Sequence, residues 1–536
     1  MTAEANTARP DSFWGAAAGR GIGVRRVLKV QHRNLGGLPP RKRGQESDGT
    51  VVAARRGNAR GAKGSCIKSV SNRKARSDLS EEQRLYTIEE AARAAARQKL
   101  PQHPHLASLR EKLSAKARRE PNFKFFNLYG HVLQPETLEC AYRMVRANDG
   151  AAGVDGVTFE DIENSEGGVG AFVAGIAAEL HAKTYKASPV RRCFIDKANG
   201  RKRALGIPTI KDRVVQCAVR LVIEPIFEED FHECSYGFRP NRGAKDAVEK
   251  VAGEIKSGKP LVYDADLSSY FDTIPHEKLI ACLRMRVVDN SVIALVRQWL
   301  KVCAREPSGV LVKPRGKGTP QGGVISPLLS NIYLHWFETR AAQTARECGQ
   351  VMSIVRYADD FVILAQKWEE GFVEKVEGIL ENWMELKVNR EKTRLVDLRE
   401  RHAVVVFLGY EFRYVRDTRF GSGRRYLHFG PAMKSVKKVC RTVHEHTHAR
   451  NCKVAVKTVI ERLNKVLSGW ARYFSVGYAS RAFGKVNHYV LRRMARWLNR
   501  RSQRYYRLRY SSTYYGELQH LGLLRLRWAD YRPARK

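Results

Sequence analysis

Two adjacent carboxylates, Asp359 and Asp360, lie between two apolar segments, residues 352–355 and 361–364. Both segments have the apolar, partly β-branched composition of buried strands, and only a short polar break separates them. The pattern predicts a tight hairpin with two acids at its tip. Adjacent carboxylates repel each other and fill no core, but they suit a divalent cation, because Mg²⁺ prefers carboxylate oxygens. The alternative is an acidic turn exposed to water.

A second acidic cluster, residues 264–272, begins in a short apolar strand that ends near Asp266. Carboxylates at the ends of two adjacent strands can meet at one edge of a sheet. Such a pair supports two metal ions about 4 Å apart, which activate an attacking oxygen and stabilise a leaving one. The two clusters together therefore indicate phosphoryl or nucleotidyl transfer.

The charge of the chain is +41 over 536 residues, and it is concentrated at the two ends. Residues 1–80 hold 17 basic and 5 acidic residues, and residues 431–536 hold 25 and 4. A positive field of this size indicates a polyanionic partner. An acidic membrane surface is disfavoured, because the chain has no long uncharged apolar stretch. The ten cysteines form no Cys-x-x-Cys pair, which is typical of reduced thiols in a cytoplasmic protein.

The elements that must position these acids alternate between strands and helices from residue 127 to about 415. Residues 1–80 lack hydrophobic periodicity and are expected to be disordered, and a helical pattern follows over residues 81–100. After Pro431 the apolar spacing becomes helical with Arg and Lys between, which predicts a basic helical domain with breaks near Asn451 and Gly484. Helices are expected over residues 290–302, 371–384, 435–443, 454–473 and 483–500.

Eight sequence blocks resemble those of group II intron-encoded proteins, which are reverse transcriptases and maturases, and they occur in that family's order. The resemblance covers roughly residues 120–500. It implies an α+β right-hand polymerase fold of fingers and palm, followed by an all-α basic thumb and maturase domain. The blocks are residues 146–156, 201–209, 235–240, 318–327, 357–360, 389–393, 407–410 and 467–474.

The resemblance implies four regions. Residues 1–80 would be a disordered basic extension, and residues 81–190 a helical extension and the start of the fingers. Residues 191–415 would be the fingers and palm, and residues 416–536 the thumb and RNA-binding maturase domain. Members with a DNA endonuclease carry a Cys-pair and His-Asn-His region, and nothing like it follows Arg500. The chain therefore resembles the endonuclease-lacking members.

The resemblance also assigns a metal centre. Asp266 and Asp359 would bind two Mg²⁺ ions, for which Mn²⁺ can substitute, with Asp360 beside them and the Leu267 carbonyl assisting. Lys392 would be the general acid toward pyrophosphate. The alternative for Lys392 is a surface lysine on a strand edge.

Further residues would contact the nucleotide. Lys197 and Arg203 would meet the incoming triphosphate, unless they form a solvated basic loop. Phe271 would lie under the sugar and exclude a 2′-hydroxyl, unless it only packs in the core. Gln321 and Gly322 would line the nascent base pair, where glycine lets the backbone approach closely. The alternative for that pair is an ordinary glycine turn before a helix.

The expected function is RNA-templated DNA synthesis from dNTPs, joined to binding, splicing and mobility of a group II intron RNA. Its partners would be that RNA, a primed RNA template and target DNA, in a bacterial cytoplasm near the nucleoid rather than in an organelle. Arg492, Arg493 and Arg496 are expected on the RNA surface. Trp470 and Phe474 have helical spacing and are expected in the core.

Three other interpretations remain open from the sequence. A splicing-only maturase would bind RNA on an inactive polymerase scaffold, and a CRISPR-associated reverse transcriptase would share the polymerase blocks. A zinc protease would use His444 and His448, which match the pattern His-Glu-x-x-His. This segment is very polar and has no obvious third ligand nearby, so a solvated helix end is the favoured interpretation.

Overall fold

The computed structural model describes residues 103–196, 202–417, 423–501, 504 and 506–531. The extension expected to be disordered and the helix expected over residues 81–100 lie outside the described residues. The first described elements are helices, and they precede the first sheet. They are α1 (Pro104–Arg119), α2 (Tyr129–Val132), α3 (Pro135–Arg146), α4 (Phe159–Glu163) and α5 (Gly168–His181).

A four-stranded sheet of order β2-β1-β4-β5 forms next. Its long pair is antiparallel, with Arg191 opposite Ile207 and Asp196 opposite Lys202. Helix α6 follows it directly, and the Thr209 side chain caps its start by accepting a hydrogen bond from the Asp212 N–H. These elements are β1 (Val190–Asp196), β2 (Lys202–Ile207), α6 (Ile210–Asp230), β4 (Ala304–Arg305) and β5 (Leu311–Val312).

The central sheet has the order β6-β7-β3-β8 and carries both acidic clusters. Its strands are short and apolar, and helices precede and follow them along the chain. The strands are β3 (Leu261–Ala265), β6 (Met352–Tyr357), β7 (Asp360–Ala365) and β8 (Arg394–Asp397). The helices around them are α7 (Ala244–Lys256), α8 (Tyr270–Thr273), α9 (His276–Arg284), α10 (Asn290–Lys301), α11 (Ser326–Glu347) and α12 (Phe372–Gly378), which continues as a π-helix (Ile379–Trp383).

The C-terminal part begins with a three-stranded antiparallel sheet and continues as helices. The sheet has the order β11-β10-β9 and contains β9 (Val405–Phe407), β10 (Tyr410–Arg416) and β11 (Arg425–Pro431). The helices are α13 (Met433–His446), α14 (Val456–Tyr473), α15 (Ser480–Asn499) and α16 (Tyr514–His520). In the described residues no helix is long and apolar enough to cross a membrane.

Two hydrophobic clusters lie on opposite faces of the central sheet. Along β7, Phe361 and Ile363 belong to the first cluster, with the helices of the N-terminal half. Val362 and Leu364 belong to the second cluster, with α7, the β9–β11 sheet and the C-terminal helices. Side chains of a strand alternate between faces, so this one strand contributes to both cores.

Most predicted elements are confirmed within a few residues, and two expectations are wrong. Gly484 lies inside α15 rather than at a break, where its missing side chain is tolerated because nothing approaches it within 4 Å. Residues 416–431, expected to belong to an all-α domain, contain strand β11, which pairs with β10. The helical part therefore begins at Met433, because hydrogen bonding between β10 and β11 keeps this segment extended.

Candidate active site and nucleic-acid interface

The two acidic clusters meet because their strands are neighbours in the central sheet. Strands β3 and β7 pair antiparallel, with Ala265 opposite Phe361. Asp266 follows β3 directly, and Asp360 begins β7, so both acids lie at the same edge of the sheet. The sequence prediction that distant carboxylates share one sheet edge is therefore confirmed for these strands.

The hairpin between β6 and β7 is as tight as the sequence indicates. Tyr357 pairs with Asp360, which leaves Ala358 and Asp359 as a two-residue turn. Ala358 has a φ of 57°, a left-handed conformation that such hairpin turns require. A residue with a Cβ is strained there, at a cost of about 1 kcal/mol. Contacts from other segments must therefore hold the turn in place.

Negative charge accumulates at this edge of the sheet. Asp360 is exposed at the start of β7, yet surrounding protein atoms displace much of its water. This partial desolvation and the charges of Asp359, Asp266 and Asp264 raise the pKa of Asp360 to about 7, against the opposing effect of Lys392. A divalent cation would relieve the repulsion between these carboxylates, so the residues present fit a metal site of oxygen ligands.

One carboxylate oxygen of Asp266 accepts two hydrogen bonds from neighbouring side chains. Its Oδ2 accepts hydrogen bonds from Lys392 Nζ at 2.9 Å and from Asn389 Nδ2 at 2.8 Å. The Asn389 N–H also donates to the Asp266 carbonyl oxygen at 2.8 Å. Within the described residues, no three His, Cys, Asp or Glu side chains converge as metal ligands. The carboxylates are thus close enough to raise the pKa of Asp360, but their side chains do not converge as a set of three metal ligands.

Leu267 lies beside the same edge. It forms an isolated antiparallel bridge with Val388. The hydrogen bonds of that bridge come from its neighbours, the Ser268 N–H and the Asp266 carbonyl. The Leu267 carbonyl takes no part in the bridge, which is consistent with its expected role as an additional oxygen ligand.

A buried arginine supports the acidic hairpin, and the sequence analysis missed it. Arg356 on β6 is fully buried, and its guanidinium donates to Glu338 Oε1 at 2.7 Å and to Asn331 Oδ1 at 2.8 Å. It also donates to Ser235 Oγ at 2.6 Å and to the Ala358 carbonyl at 3.0 Å. The network therefore fixes the strained turn directly. The available signal was an arginine inside an otherwise apolar strand.

Gly237 is the second support of the hairpin. A Cβ on this glycine would collide with the backbone nitrogen of Ala358. The neighbouring Tyr236 N–H donates to the Arg356 carbonyl at 2.8 Å. The segment thus lies directly against the acidic turn, and only glycine permits this approach.

We expect Gly237→Ala to reduce strongly the nucleotidyl transfer that the acidic clusters indicate, because the added methyl group must displace the turn that carries Asp359. Gly253→Ala is the matched control, since Gly253 is exposed on α7 with nothing within 4 Å of its added Cβ. Primer extension and thermal unfolding measured on both variants check the prediction. Full activity of a folded Gly237→Ala protein would contradict it.

Comparison with known proteins identifies the family. The protein-family model "Reverse transcriptase (RNA-dependent DNA polymerase)" matches residues 195–412. The family model "Group II intron, maturase-specific domain" matches residues 436–516. Protein YkfC of Escherichia coli is 33% identical over 357 residues, which cover 60% of this chain and 91% of YkfC. The group II intron-encoded protein LtrA of Lactococcus lactis is 28% identical over 381 residues, covering 58% of this chain. The chain belongs to the group II intron-encoded reverse transcriptases and maturases.

This membership makes the protein an RNA-directed DNA polymerase with a maturase domain that serves group II intron splicing and mobility. Reverse transcriptases use divalent metal ions. The chain spans 61% of the length of LtrA. Among solved structures, telomerase from Candida albicans matches with 14% identity and a TM-score of 0.35, covering 61% of this chain and 62% of that chain.

Gln321 and Gly322 lie in a turn that contacts strand β2 of the first sheet. The Gly206 N–H of β2 donates to the Gln321 carbonyl at 2.7 Å. Gly322 has a φ of 117°, and a Cβ there would lie 2.5 Å from the Gly206 carbonyl oxygen. The Gln321 side chain donates to Asp272 Oδ1 at 3.2 Å. Asp272 directly follows Phe271 in the chain. Gln321 and Phe271, both candidates for substrate contact, are therefore near each other.

Phe271, Arg203 and Lys197 are the remaining candidates for contact with the nucleotide. Phe271 is half-buried against the first core, and its carbonyl accepts a hydrogen bond from the Thr319 N–H at 2.7 Å. Arg203 lies on β2 opposite Ile195. Lys197 lies outside the described residues. The steric role of Phe271 and the triphosphate contacts therefore stay predictions.

The maturase helices separate core aromatics from exposed cations. Trp470 and Phe474 are buried, as the sequence predicts, and Trp497 is buried as well. The exposed positions of α15 and its C-cap repeat every three or four residues, so they lie along one helix face. We call this set the α15 basic stripe; it contains Arg481, Lys485, His488, Arg492, Arg496 and Arg500.

Arg493 is half-buried and lies outside that stripe, so its expected contact with RNA stays a prediction. Its guanidinium donates to the Thr447 carbonyl at 2.8 Å and to Thr447 Oγ1 at 3.1 Å. These bonds satisfy groups at the end of α13, where backbone carbonyls lack helical partners. Arg493 therefore joins α13 to α15. Arg492 and Arg496, which were also expected on the RNA surface, are exposed.

The zinc-protease pattern does not form its expected geometry. Helix α13 ends at His446, so His444 and His448 do not share a helix. His448 instead caps a short 3₁₀ turn, its Nδ1 accepting a hydrogen bond from the Arg450 N–H at 3.3 Å. The favoured interpretation, a polar helix end, agrees with this structure.

Proposed function

We propose that Asp266, Asp359 and Asp360 hold Mg²⁺ and form the centre that adds dNTPs to a primer on an RNA template. The observation that supports this most is the pairing of β3 with β7, which places the three acids at one sheet edge. The Leu267 carbonyl would add an oxygen ligand. Mn²⁺ would substitute for Mg²⁺, since both accept carboxylate oxygens.

When bound, the ions would supply a polarised attacking oxygen and a neutralised leaving group. Lys392, already at the site through Asp266, would donate a proton to the departing pyrophosphate. Its ammonium must then leave the Asp266 oxygen that a metal ion would use. Lys392 would thus balance the carboxylate charge before substrate arrives and serve the leaving group afterwards.

Four other side chains and one backbone segment would position the substrate. Lys197 and Arg203 would bind the triphosphate of the dNTP, and Phe271 would exclude a 2′-hydroxyl. Gln321 would contact the nascent pair, with the side-chain-free backbone of Gly322 allowing close approach. The hydrogen bonds of Gln321 with Asp272 and with β2 support this arrangement.

The α15 basic stripe would bind the group II intron RNA. Its cations lie on one exposed face, as expected for a surface that follows a phosphate backbone. We propose residues 81–190 as an N-terminal extension and the start of the fingers, residues 191–415 as fingers and palm, and residues 416–536 as thumb and maturase domain. Target DNA would be a further partner during mobility, in a bacterial cytoplasm near the nucleoid.

Primer extension on an RNA template tests this function. The full chain with dNTPs and Mg²⁺ is expected to lengthen an annealed DNA primer, and excess chelator is expected to stop it. Affinity for RNA is measured in the same preparation. A folded protein that binds RNA but extends no primer would be a splicing-only maturase. Activity on the template without affinity for intron RNA would favour a CRISPR-associated lineage.

The stripe itself can be tested through salt dependence. Changing Arg492 and Arg496 together to Gln is expected to weaken intron RNA binding. The slope of log affinity against log salt should flatten by about 0.7 for each phosphate that the protein no longer neutralises. Lys367 and Lys375, exposed cations outside the maturase helices, give the matched double control. An unchanged slope in the Arg492/Arg496 variant would place the RNA surface elsewhere.

A further inference from the structure

One face of the β9–β11 sheet is partly exposed to solvent. Phe412 and Phe429 are paired across β10 and β11, and both point into the second core. Side chains alternate between the two faces of a strand, so the residues directly before and after Phe412 and Phe429 lie on the opposite face. We call this opposite side the open sheet face; it contains Val406, Glu411, Arg413, Val415, Tyr426 and His428. Val406 is 48% exposed and Tyr426 is 37% exposed.

Tyr478 lies across this face and remains accessible. Its ring is stacked on His428, with centroids 5.4 Å apart and planes 18° apart. It meets Tyr426 edge to face at 5.6 Å. Yet Tyr478 is 48% exposed. Tyr478 and Tyr426 thus present exposed ring surface beside His428, which is half-buried and stacked against Tyr478.

Backbone contacts help to fix Tyr478 in this position, and its ring also meets the core residue Phe429 edge to face at 6.2 Å. Its N–H donates to the Phe429 carbonyl on β11 at 2.7 Å. The preceding Gly477 has a φ of 71°, and a Cβ there would collide with the same carbonyl. A Cβ on Gly430 would lie 2.9 Å from the Tyr478 carbonyl oxygen. Two glycines therefore let the turn approach the strand and present the ring in one orientation.

The charges around the rings favour an anionic ligand. Burial and the nearby Arg413 and Arg481 lower the pKa of His428, with Glu411 opposing them. The Arg413 guanidinium lies 3.4 Å from the Glu411 carboxylate. Arg481 is the first cation of the α15 basic stripe. The open sheet face is therefore continuous with the surface proposed to bind RNA.

We propose that Tyr478, Tyr426 and His428 form a stacking platform for unpaired bases of single-stranded RNA. Exposed aromatics flanked by arginine are the chemistry that binds such bases, because rings stack on bases while cations neutralise phosphates. A duplex offers no free base face to these rings. The proposal rests on the proposed RNA-binding function and deepens it, because it predicts a higher affinity for single-stranded RNA than for paired RNA.

The test compares Tyr478→Ala with Tyr478→Phe in the full chain. The probes are a single-stranded RNA oligonucleotide carrying 2-aminopurine and an RNA hairpin of equal length. Tyr478→Ala is expected to weaken single-strand binding by about 5- to 100-fold and to reduce 2-aminopurine quenching. Hairpin binding should change far less, and the salt slope should not change, because no cation is removed. Tyr478→Phe should retain the parent affinity.

Several outcomes would overturn the platform. One is unchanged single-strand affinity in Tyr478→Ala, and another is equal loss for single strand and hairpin. A preference for single-stranded DNA of the same sequence would assign the face to DNA instead. Tyr515→Ala, which alters an exposed tyrosine on α16, is the matched control. Should Tyr478→Ala unfold, Tyr478→Leu provides the same comparison. Primer extension by the parent chain is measured alongside. Extension with unchanged single-strand affinity in Tyr478→Ala would refute the platform alone, whereas a lack of extension would refute the proposed polymerase function.

Discussion

Replacing Asp359 with Ala is expected to lower the rate of nucleotide addition by at least about 10³-fold, because metal stabilisation of the transition state is worth several kcal/mol. RNA affinity is expected to stay close to that of the parent. The α15 basic stripe carries the proposed RNA contacts and contains no acid. Single-turnover primer extension and RNA titration, performed on the same preparation, measure the two effects.

Glu391→Ala is the control for this variant. Glu391 is an exposed carboxylate beside Lys392, so its removal changes the local charge by the same amount. We expect it to retain most of the parent activity. If Asp359→Ala abolished both extension and RNA affinity while remaining folded, the separation between catalytic centre and RNA surface would be wrong.

Arg356→Met is expected to lower the free energy of unfolding by about 3–5 kcal/mol. Arg356 and Glu338 have side chains 0% and 1% exposed, so the change leaves an unpaired carboxylate in the core. The variant also lacks the hydrogen bond to the Ala358 carbonyl, which restrains the strained turn. Urea unfolding measures the stability, and primer extension below the unfolding transition measures the effect on the turn.

Two further variants test the stated cause. Arg356→Met combined with Glu338→Gln is expected to recover part of the stability, because the buried carboxylate is no longer charged. Arg399→Met removes an arginine from an ion pair whose arginine is 58% exposed, and stability should hardly change. A destabilisation by Arg356→Met as small as that by Arg399→Met would refute a buried ion-pair network.

The sequence predicted the acidic hairpin well because its signal is local. Two apolar runs and a short polar break specify a tight turn, and Asp359 and Asp360 can only lie at its tip. The helices α13 to α15 were predictable for the same reason, since their apolar spacing is regular. Strand β11 was not predicted, because its extended conformation depends on pairing with the separate strand β10.

The supports of the hairpin could not be predicted in this way. Arg356 depends on Ser235, Asn331 and Glu338, which are far apart in the chain and meet only in the folded protein. Gly237 approaches Ala358 for the same reason. Strain at the turn and the contacts that oppose it are properties of tertiary structure. A single sequence shows only that an arginine and a glycine occupy unusual places.

The placement of β7 between two cores has a consequence for thermodynamic linkage. Val362 and Leu364 share their core with Leu463 and Trp470 of the maturase helices. Any ligand that binds only the folded helices raises the stability of the whole cooperative unit by RT ln(1 + [L]/Kd). Intron RNA bound far from the aspartates would therefore protect the catalytic strand from unfolding. Amide exchange along β7 would slow in proportion to RNA occupancy on a surface that β7 never contacts.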